Sequence, residues 1–249
     1  MEPVFRTPEI AVKAAVRVTG IDISYDGLVN IPDDGGAVIA INHTSCVDWL
    51  LAALAAHRRG RRMRFMLKTE LRDVRVLNFL IKHTGTIPVD RRAGAGAYSV
   101  AVQRLRAGEI VGVYPEATIS RSFELKEFKT GAARMAREAQ LPIIPLVVCG
   151  AQRIWTKDHP RNLGRTKTPI MVSVGRPLHA GETVEQTSTA MRASMPALLD
   201  RVQQEYPSPE GEYWVPRRLG GSAPTMAKAS VLDEAQLAER ARKRAERDR

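Results

Sequence analysis

Short apolar runs alternate with segments of helical periodicity through most of the chain. Residues 37–41, 110–113 and 141–148 are apolar runs, the last with prolines near its entry, and each predicts a buried strand. Residues 21–25 and 169–174 alternate apolar and polar side chains, which predicts further strands. Residues 63–67 also predict a strand, while Pro88 limits its segment to an edge strand or a loop. Helices are predicted at 49–56, 74–81, 98–107, 132–139 and 184–206.

The two ends of the chain add segments whose partners the pattern leaves open. Residues 9–18 predict a helix that mixes apolar and basic positions, and it could rest on a membrane surface or pack on the domain. Glycines and a proline at 220–224 predict a linker. Residues 230–233 predict the cap of a last helix that is nearly all charged beyond Leu237. We expect this tail to be solvated, or to contact a partner or a membrane, rather than to belong to a catalytic site.

The composition of the chain narrows the classes of partner that it could bind. The chain carries 38 Lys and Arg against 27 Asp and Glu, a net charge of +11, which indicates nucleic acid, an anionic membrane or a phosphorylated substrate as partner. Aromatic residues make up only 5% of the chain, which argues against base-stacking platforms for single strands. Cys46 and Cys149 form neither a disulfide framework nor a zinc motif. No apolar run approaches the about 20 residues of a membrane span, so we expect no signal peptide and, at a membrane, only peripheral contact.

The chemistry centres on His43 and Asp48, which follow the buried run 37–41. Polar residues end that strand, and Thr44 or Ser45 can cap a helix that begins close to them. Asp48 then lies in the first turn of this helix, where its carboxylate could reach the His43 imidazole. A carboxylate on one ring nitrogen fixes the tautomer and leaves the other nitrogen available as a base. The alternative is that His43 is an ordinary helix-entry residue and that Asp48 only favours the helix N-terminus.

Further candidate sites for an anion follow other strands. The guanidinium of Arg91 could hold a phosphate in a bidentate contact, although Arg91 could also be a surface residue paired with Asp90. Glu116 lies at the exit of the run 110–113 and is followed by hydroxyls and Arg121, an arrangement that suits a hydroxylated, charged ligand or, alternatively, a capped turn. Lys129 precedes the helix 132–139, whose N-terminal amides form a plausible anion site with it.

Four blocks with matching spacings give these residues a common context: Asn42-His43-x4-Asp48, Gly85-x-Ile87-Pro88-Val89-Asp90-Arg91, Tyr114-Pro115-Glu116-Ala117-Thr118 and Leu141-Pro142-Ile143-Ile144-Pro145. The ordered set resembles the glycerolipid acyltransferases, specifically the PlsC-like 1-acylglycerol-3-phosphate (lysophosphatidate) acyltransferase family. The third block departs from the family's usual Pro-Glu-Gly-Thr-Arg, because Ala117 replaces the glycine and Ile119 the arginine. Since that arginine is thought to contact the acceptor, either Arg121 or Lys129 replaces it or the acceptor differs.

The resemblance implies an α/β fold: a single domain with a central mixed sheet flanked by helices and an active site at the strand ends. On this basis we expect an acyltransferase domain with an N-terminal amphipathic helix over 1–215, then a linker and charged C-terminal helix over 216–249. The implied protein needs no cofactor or metal, binds no nucleic acid, and works peripherally on an anionic membrane surface at the cytoplasmic face of the cell membrane.

The implied reaction moves a fatty acyl group from acyl-CoA or acyl carrier protein to the free hydroxyl of lysophosphatidate, giving phosphatidate for phospholipid biosynthesis. His43 would be the general base, oriented by Asp48, and backbone amides near the following helix start would stabilise the oxyanion. The acceptor would be held by Arg91 with the support of Lys68, Arg121 or Lys129, and contacted by Glu116 and Thr118. Three rival hypotheses are a binding module for nucleic acid or anionic membrane, a hydrolase that activates water, and an acyltransferase with another lysolipid or glycerol-3-phosphate as acceptor.

Overall fold

A computed structural model describes residues 14, 16–68, 86–89 and 94–247 of the chain. The strands of this part form one sheet in the order β1-β7-β6-β2-β5-β3-β4. Neighbouring strands are parallel except β6 and β7, so β1 and β7 run opposite to the other five and the sheet is mixed, as expected. The strands are β1 Asp22–Asp26, β2 Ala37–Ile41, β3 Met63–Lys68, β4 Ile87–Val89, β5 Ile110–Val113, β6 Ile143–Cys149 and β7 Pro169–Val174.

Helices cover both faces of this sheet. Their bounds are α1 Asp48–Arg58, α2 Gly94–Arg106, α3 Gly131–Ala139, α4 Val184–Glu205 and α5 Met226–Arg247. Alternate residues of β2 show the two layers: Ile39 and Ile41 pack in the core that contains α1, while Val38 and Ala40 pack in the core that contains α2 and α3. Because β2, β5 and β6 are buried along their whole length, their sequences are continuous apolar runs rather than alternating ones.

The edges of the sheet follow the predicted patterns. β1 alternates exposed and half-buried residues at one edge, which explains its alternating sequence. At the other edge lies β4, which contains Pro88, and a proline is tolerated there because an edge strand has one unpaired side.

Two predicted helix caps are wrong. The first residue of α1 is Asp48 and its N-cap is Val47 without a side-chain cap, so neither Thr44 nor Ser45 caps it directly. The last helix begins at Met226 rather than at a cap over 230–233, because the Thr225 hydroxyl accepts a hydrogen bond from the amide of Lys228 (3.3 Å).

The segment between α4 and α5 is packed against the domain. Trp214, Val215 and Ala223 are buried in a core that they share with Leu199 and Val202 of α4. The final helix is therefore attached through a folded connection, which fixes where the helix begins.

Some predictions fall outside the described residues. These are the helix at 74–81, most of the helix at 9–18, and Asp90 and Arg91 of the second block, although residues 16–19 are helical. No helix in the described ranges is both long enough and apolar enough to cross a bilayer.

Candidate active site

The candidate site lies where β2 and β5 end. These strands are parallel neighbours, so the segments that leave their carboxyl ends meet at the same edge of the sheet. His43 follows β2 after one intervening residue, and Tyr114 follows β5 directly. The sheet thereby brings the first and third sequence blocks together, although 71 residues separate these two side chains along the chain.

Asn42 fixes the point at which the chain leaves the sheet. It is fully buried, and its side-chain amide pairs with Val148 of β6: Oδ1 accepts from the backbone N–H (2.8 Å), and Nδ2 donates to the carbonyl (3.0 Å). The side chain thus replaces the next backbone pairing between β2 and β6. The backbone at His43 can therefore turn away without leaving buried polar groups of β6 unpaired.

His43 and Asp48 form a hydrogen-bonded pair, with 3.2 Å between Nδ1 and Oδ2. The same carboxylate oxygen accepts from the backbone amides of Thr44 and Ser45, each at 2.8 Å. Because Nδ1 donates to a carboxylate, the neutral imidazole carries its lone pair on Nε2. Burial raises the pKa of Asp48, while the hydrogen bonds from His43 and the two amides act in the opposite direction. The geometry is that of a base whose tautomer is set by a buried carboxylate.

Tyr114 holds the other side of the imidazole. Its ring stacks on that of His43 with 4.0 Å between centroids and an interplanar angle of 21°. Burial raises the pKa of Tyr114 well above its usual value near 10, so the side chain stays a neutral phenol. The stack and the carboxylate together leave the imidazole little rotational freedom.

Glu116 braces the backbone of the site. Its Oε1 accepts from the amide of His43 (2.8 Å) and its Oε2 from the amide of Lys126 (3.0 Å). The amide of Ser120 also donates to the carbonyl of His43 (2.7 Å), so the segment from Glu116 to Ser120 binds both the amide and the carbonyl of His43. Burial raises the pKa of Glu116 to about 8. With both carboxyl oxygens occupied by amides, Glu116 is placed to position His43.

The turn of the third block contains a left-handed residue. Ala117 has φ of 59°, and its amide donates to the carbonyl of Tyr114 (3.0 Å). Glycine adopts this conformation at no steric cost, whereas a residue with a Cβ is strained there. Ala117, which stands where the family's block has glycine, therefore adopts this turn at a local cost in conformational energy.

Cationic side chains gather beside this turn. Lys157 donates from Nζ to the hydroxyl of Thr118 (2.9 Å) and to the carbonyl of Ile119 (3.1 Å). Arg121 is buried and donates from Nε to the carboxylate of Asp158 (2.5 Å). Burial lowers the pKa of Lys157, while the carboxylate of Asp233 acts in the opposite direction. The position that lacks the family's arginine is thus flanked by two other cations.

Of the remaining predicted side chains, the structure describes that of Lys129, which does not join this cluster. Lys129 is exposed just before α3, and only its backbone amide is tied in, to the carbonyl of Pro115 (2.9 Å). Arg91 lies outside the described residues, and so does the side chain of Lys68 at the end of β3. Among the described residues, no group of three or more His, Cys, Asp or Glu side chains is arranged to hold a metal.

Sequence reasoning missed four residues of this region. Tyr114 belongs to the third block, but the sequence assigns its ring no role. Its position directly after a strand is the signal that could have indicated a site residue. The other three are Lys126, Lys157 and Asp233, which meet only in the fold because they come from two loops and the last helix.

Comparison with known proteins places this site in a family. A family model described as Acyltransferase matches residues 22–149, just over half of the chain, and this span contains His43, Asp48 and Glu116. The 1-acyl-sn-glycerol-3-phosphate acyltransferase of Bacillus subtilis (strain 168) is 28% identical over 173 residues, which cover 69% of this chain and 81% of that protein. A relative of the same name from Borreliella burgdorferi is 26% identical over 150 residues, which cover 59% of each protein.

The fold is also that of a solved structure. The crystal structure of the 1-acyl-sn-glycerophosphate (LPA) acyltransferase PlsC from Thermotoga maritima superposes with a TM-score of 0.65 over 84% of this chain and 86% of that one, at 18% identity. The family match and the shared α/β fold agree with the four ordered blocks. The chain therefore belongs to the acyltransferase family, and the resemblance to its PlsC-like members is confirmed.

Proposed function

We propose that this protein transfers a fatty acyl group from an acyl thioester, acyl-CoA or acyl carrier protein, to the hydroxyl of lysophosphatidate, forming phosphatidate. The observation that carries the proposal is the His43 imidazole held by buried Asp48 inside the matched acyltransferase region. Relatives named for 1-acyl-sn-glycerol-3-phosphate as acceptor support the choice of lysophosphatidate. The net charge of +11 supports a peripheral site of action on an anionic membrane surface at the cytoplasmic face.

In this mechanism Nε2 of His43 takes the proton of the acceptor hydroxyl as its oxygen attacks the thioester carbonyl. The carboxylate of Asp48 stabilises the imidazolium that forms. The tetrahedral intermediate then collapses, the carbon–sulfur bond breaks, and the imidazolium returns its proton to the thiolate. The products are the ester and the free thiol, so no cofactor is consumed. General-base help of this kind is worth about 10²–10⁴-fold in rate.

The backbone amides directly after His43 already have acceptors within the protein. The amides of Thr44 and Ser45 donate to Asp48, that of Cys46 to the carbonyl of Trp155 (2.9 Å), and that of Val47 to the Ser45 hydroxyl (3.1 Å). The amides of residues 44–47 are therefore engaged within the protein, and the expectation that amides near the helix start stabilise the oxyanion stays a prediction for α1 itself. These bonds position the Asp48 carboxylate and the loop that joins β2 to α1.

The test is acyl transfer by the purified protein from palmitoyl-CoA to lysophosphatidate, glycerol-3-phosphate and lysophosphatidylcholine in parallel. We expect phosphatidate from the wild type and a loss of about 10²–10⁴-fold in kcat for His43→Ala. His179→Ala is the matched control, because His179 is exposed and lies outside the site.

The outcomes separate the rival hypotheses. Product with another acceptor only would keep the mechanism and refute lysophosphatidate as the substrate. Fatty acid released without any acceptor would indicate a hydrolase. A fully active His43→Ala variant would refute the assigned base, and no acyl transfer at all would leave a binding module as the better hypothesis.

A further inference from the structure

Three cations from two loops converge on one carboxylate. Asp233 of α5 accepts from Arg121 Nη1 and from Lys157 Nζ (2.9 Å) on Oδ1, and from Lys126 Nζ on Oδ2. The Arg121 side chain is only 5% exposed and that of Asp233 only 13%. The expectation that the tail is simply solvated is therefore wrong for this residue. We call Arg121, Lys126 and Lys157 the cation cluster.

The loop that carries Arg121 and Lys126 is hydrogen-bonded to the backbone of His43, the proposed base. Arg121 follows Ser120, whose amide donates to the carbonyl of His43, and the amide of Lys126 shares the Glu116 carboxyl with the amide of His43. Two hydrogen-bonded connections thus link the cluster to the backbone of the base. A ligand group bound by the cluster would lie beside the candidate active site.

The chemistry of the cluster fits a phosphate group better than a carboxylate. Three cations face Asp233, and Asp158, the other carboxylate on Arg121, is about half exposed at its side chain. A phosphomonoester carries about −1.5 to −2 charges near pH 7 and offers three acceptor oxygens, whereas a carboxylate carries one charge on two oxygens. A phosphomonoester would therefore match both the charge and the number of donors more closely.

The helix that supplies Asp233 is weakly held beyond this point. Ala229 is buried near the start of α5, but the residues after Asp233 are almost all exposed in the described part of the helix. An element with few buried apolar contacts opens at low cost. The carboxylate of Asp233 can therefore leave the cluster without unfolding the domain.

We propose that the cation cluster is the binding site for the phosphomonoester of the acceptor, and that Asp233 occupies this site until the acceptor replaces it. This inference rests on the proposed transfer of an acyl group to lysophosphatidate. It assigns Lys126 and Lys157 to acceptor binding beside Arg121, where Ile119 replaces the family's arginine. It also gives α5 an inhibitory role, since the bound carboxylate and the incoming phosphate compete.

The experiment compares wild type with Asp233→Asn, which removes the charge and keeps the shape. The matched control is Glu234→Gln, an exposed neighbour on the same helix. Calorimetry measures binding of inorganic phosphate and of glycerol-3-phosphate, and kinetics measure the KM for lysophosphatidate and for palmitoyl-CoA. The Asp233→Asn protein should bind both soluble phosphates about tenfold more tightly than wild type. Its KM for lysophosphatidate should fall by about the same factor, and its KM for palmitoyl-CoA should be unchanged. Glu234→Gln should behave as wild type.

A second variant keeps the test decisive. Adding Lys157→Met to Asp233→Asn should abolish the gain in phosphate binding, which melting curves can separate from a loss of folding. Unchanged or weaker phosphate binding by Asp233→Asn would show that Asp233 only docks the helix. Tighter binding of inorganic phosphate without a lower KM for lysophosphatidate would overturn the acceptor assignment. The calorimetry needs no turnover, so a failure of the proposed reaction is seen separately as absent acyl transfer.

Discussion

Asp48→Asn is the most informative single change, because it removes the charge beside His43, the proposed base, while keeping the hydrogen bonds of the imidazole. The asparagine oxygen can still accept from His43 Nδ1 and from the amides of Thr44 and Ser45, which all reach Oδ2 in the wild type. The position of the imidazole and its tautomer should therefore be preserved. What is lost is the attraction between the carboxylate and the imidazolium that forms during proton transfer.

The structure sets the size of that loss. A hydrogen bond of 3.2 Å places the two charge centres about 4 Å apart, which corresponds to about 4 kcal/mol at an effective dielectric constant of about 20. A barrier higher by that amount lowers kcat by about 10³-fold. The asparagine N–H₂ would take the position of Oδ1, which has no hydrogen-bond partner among the described residues. Its burial costs about 1–3 kcal/mol, which removal of a buried charge offsets in part.

The assay is steady-state acyl transfer to lysophosphatidate by Asp48→Asn, His43→Ala and the double variant, with melting temperatures alongside. If the two residues act as one unit, the double variant should be no slower than His43→Ala alone. Losses that multiply in the double variant would refute the coupling, because each residue would then contribute separately. An Asp48→Asn enzyme within about threefold of wild type would refute the electrostatic argument itself.

Two further predictions concern the turn that supports the base. Burial raises the pKa of Glu116 from 4.5 to about 8. At pH values between 4.5 and 8 the folded protein keeps a proton on Glu116 that the unfolded chain has lost, so the free energy of unfolding falls as the pH rises. The unfolding free energy of wild type relative to Glu116→Gln, from urea titrations, should fall by up to ~1.4 kcal/mol per pH unit in that window, and a pH-independent difference would contradict this. Ala117→Gly should relieve about 1–2 kcal/mol of left-handed strain against about 0.4–1 kcal/mol of added unfolded-chain entropy. The variant should therefore melt up to a few degrees higher, and a lower melting temperature would show that the alanine is not strained.

The parts of the site that are local in sequence could be predicted from it. His43 and Asp48 lie five residues apart at a strand end, so their contact follows from one turn of chain. The apolar runs of β2, β5 and β6 are continuous because both faces are buried, and that pattern is visible in the sequence. The cap of α1 could not be predicted, since Ser45 uses its hydroxyl on the carbonyl of Trp155 (2.7 Å) rather than as a direct cap.

The parts that depend on long-range packing could not be predicted. Asp233 lies 112 residues from Arg121 and sits in a helix whose charged pattern is typical of a solvated surface. Lys157 belongs to a polar loop without periodicity, so nothing local distinguishes it from its neighbours. Glu116 was identified as a candidate, but its bonds to two backbone amides depend on which strands are adjacent. The charge of such a side chain indicates that it needs a partner of opposite charge or a hydrogen bond, but only the folded structure determines which residue supplies it.

The side chain of Asn42 has a consequence for how the base is ordered. By pairing with Val148, it ties the exit of β2 to β6, which is buried along its whole length. His43 cannot shift relative to the sheet unless those two buried bonds break. If His43 acts as proposed, its orientation is thus established when the chain folds and is not rebuilt in each turnover. In the proposed mechanism, the motions that admit and release a lipid would then involve other elements, while the imidazole keeps its orientation.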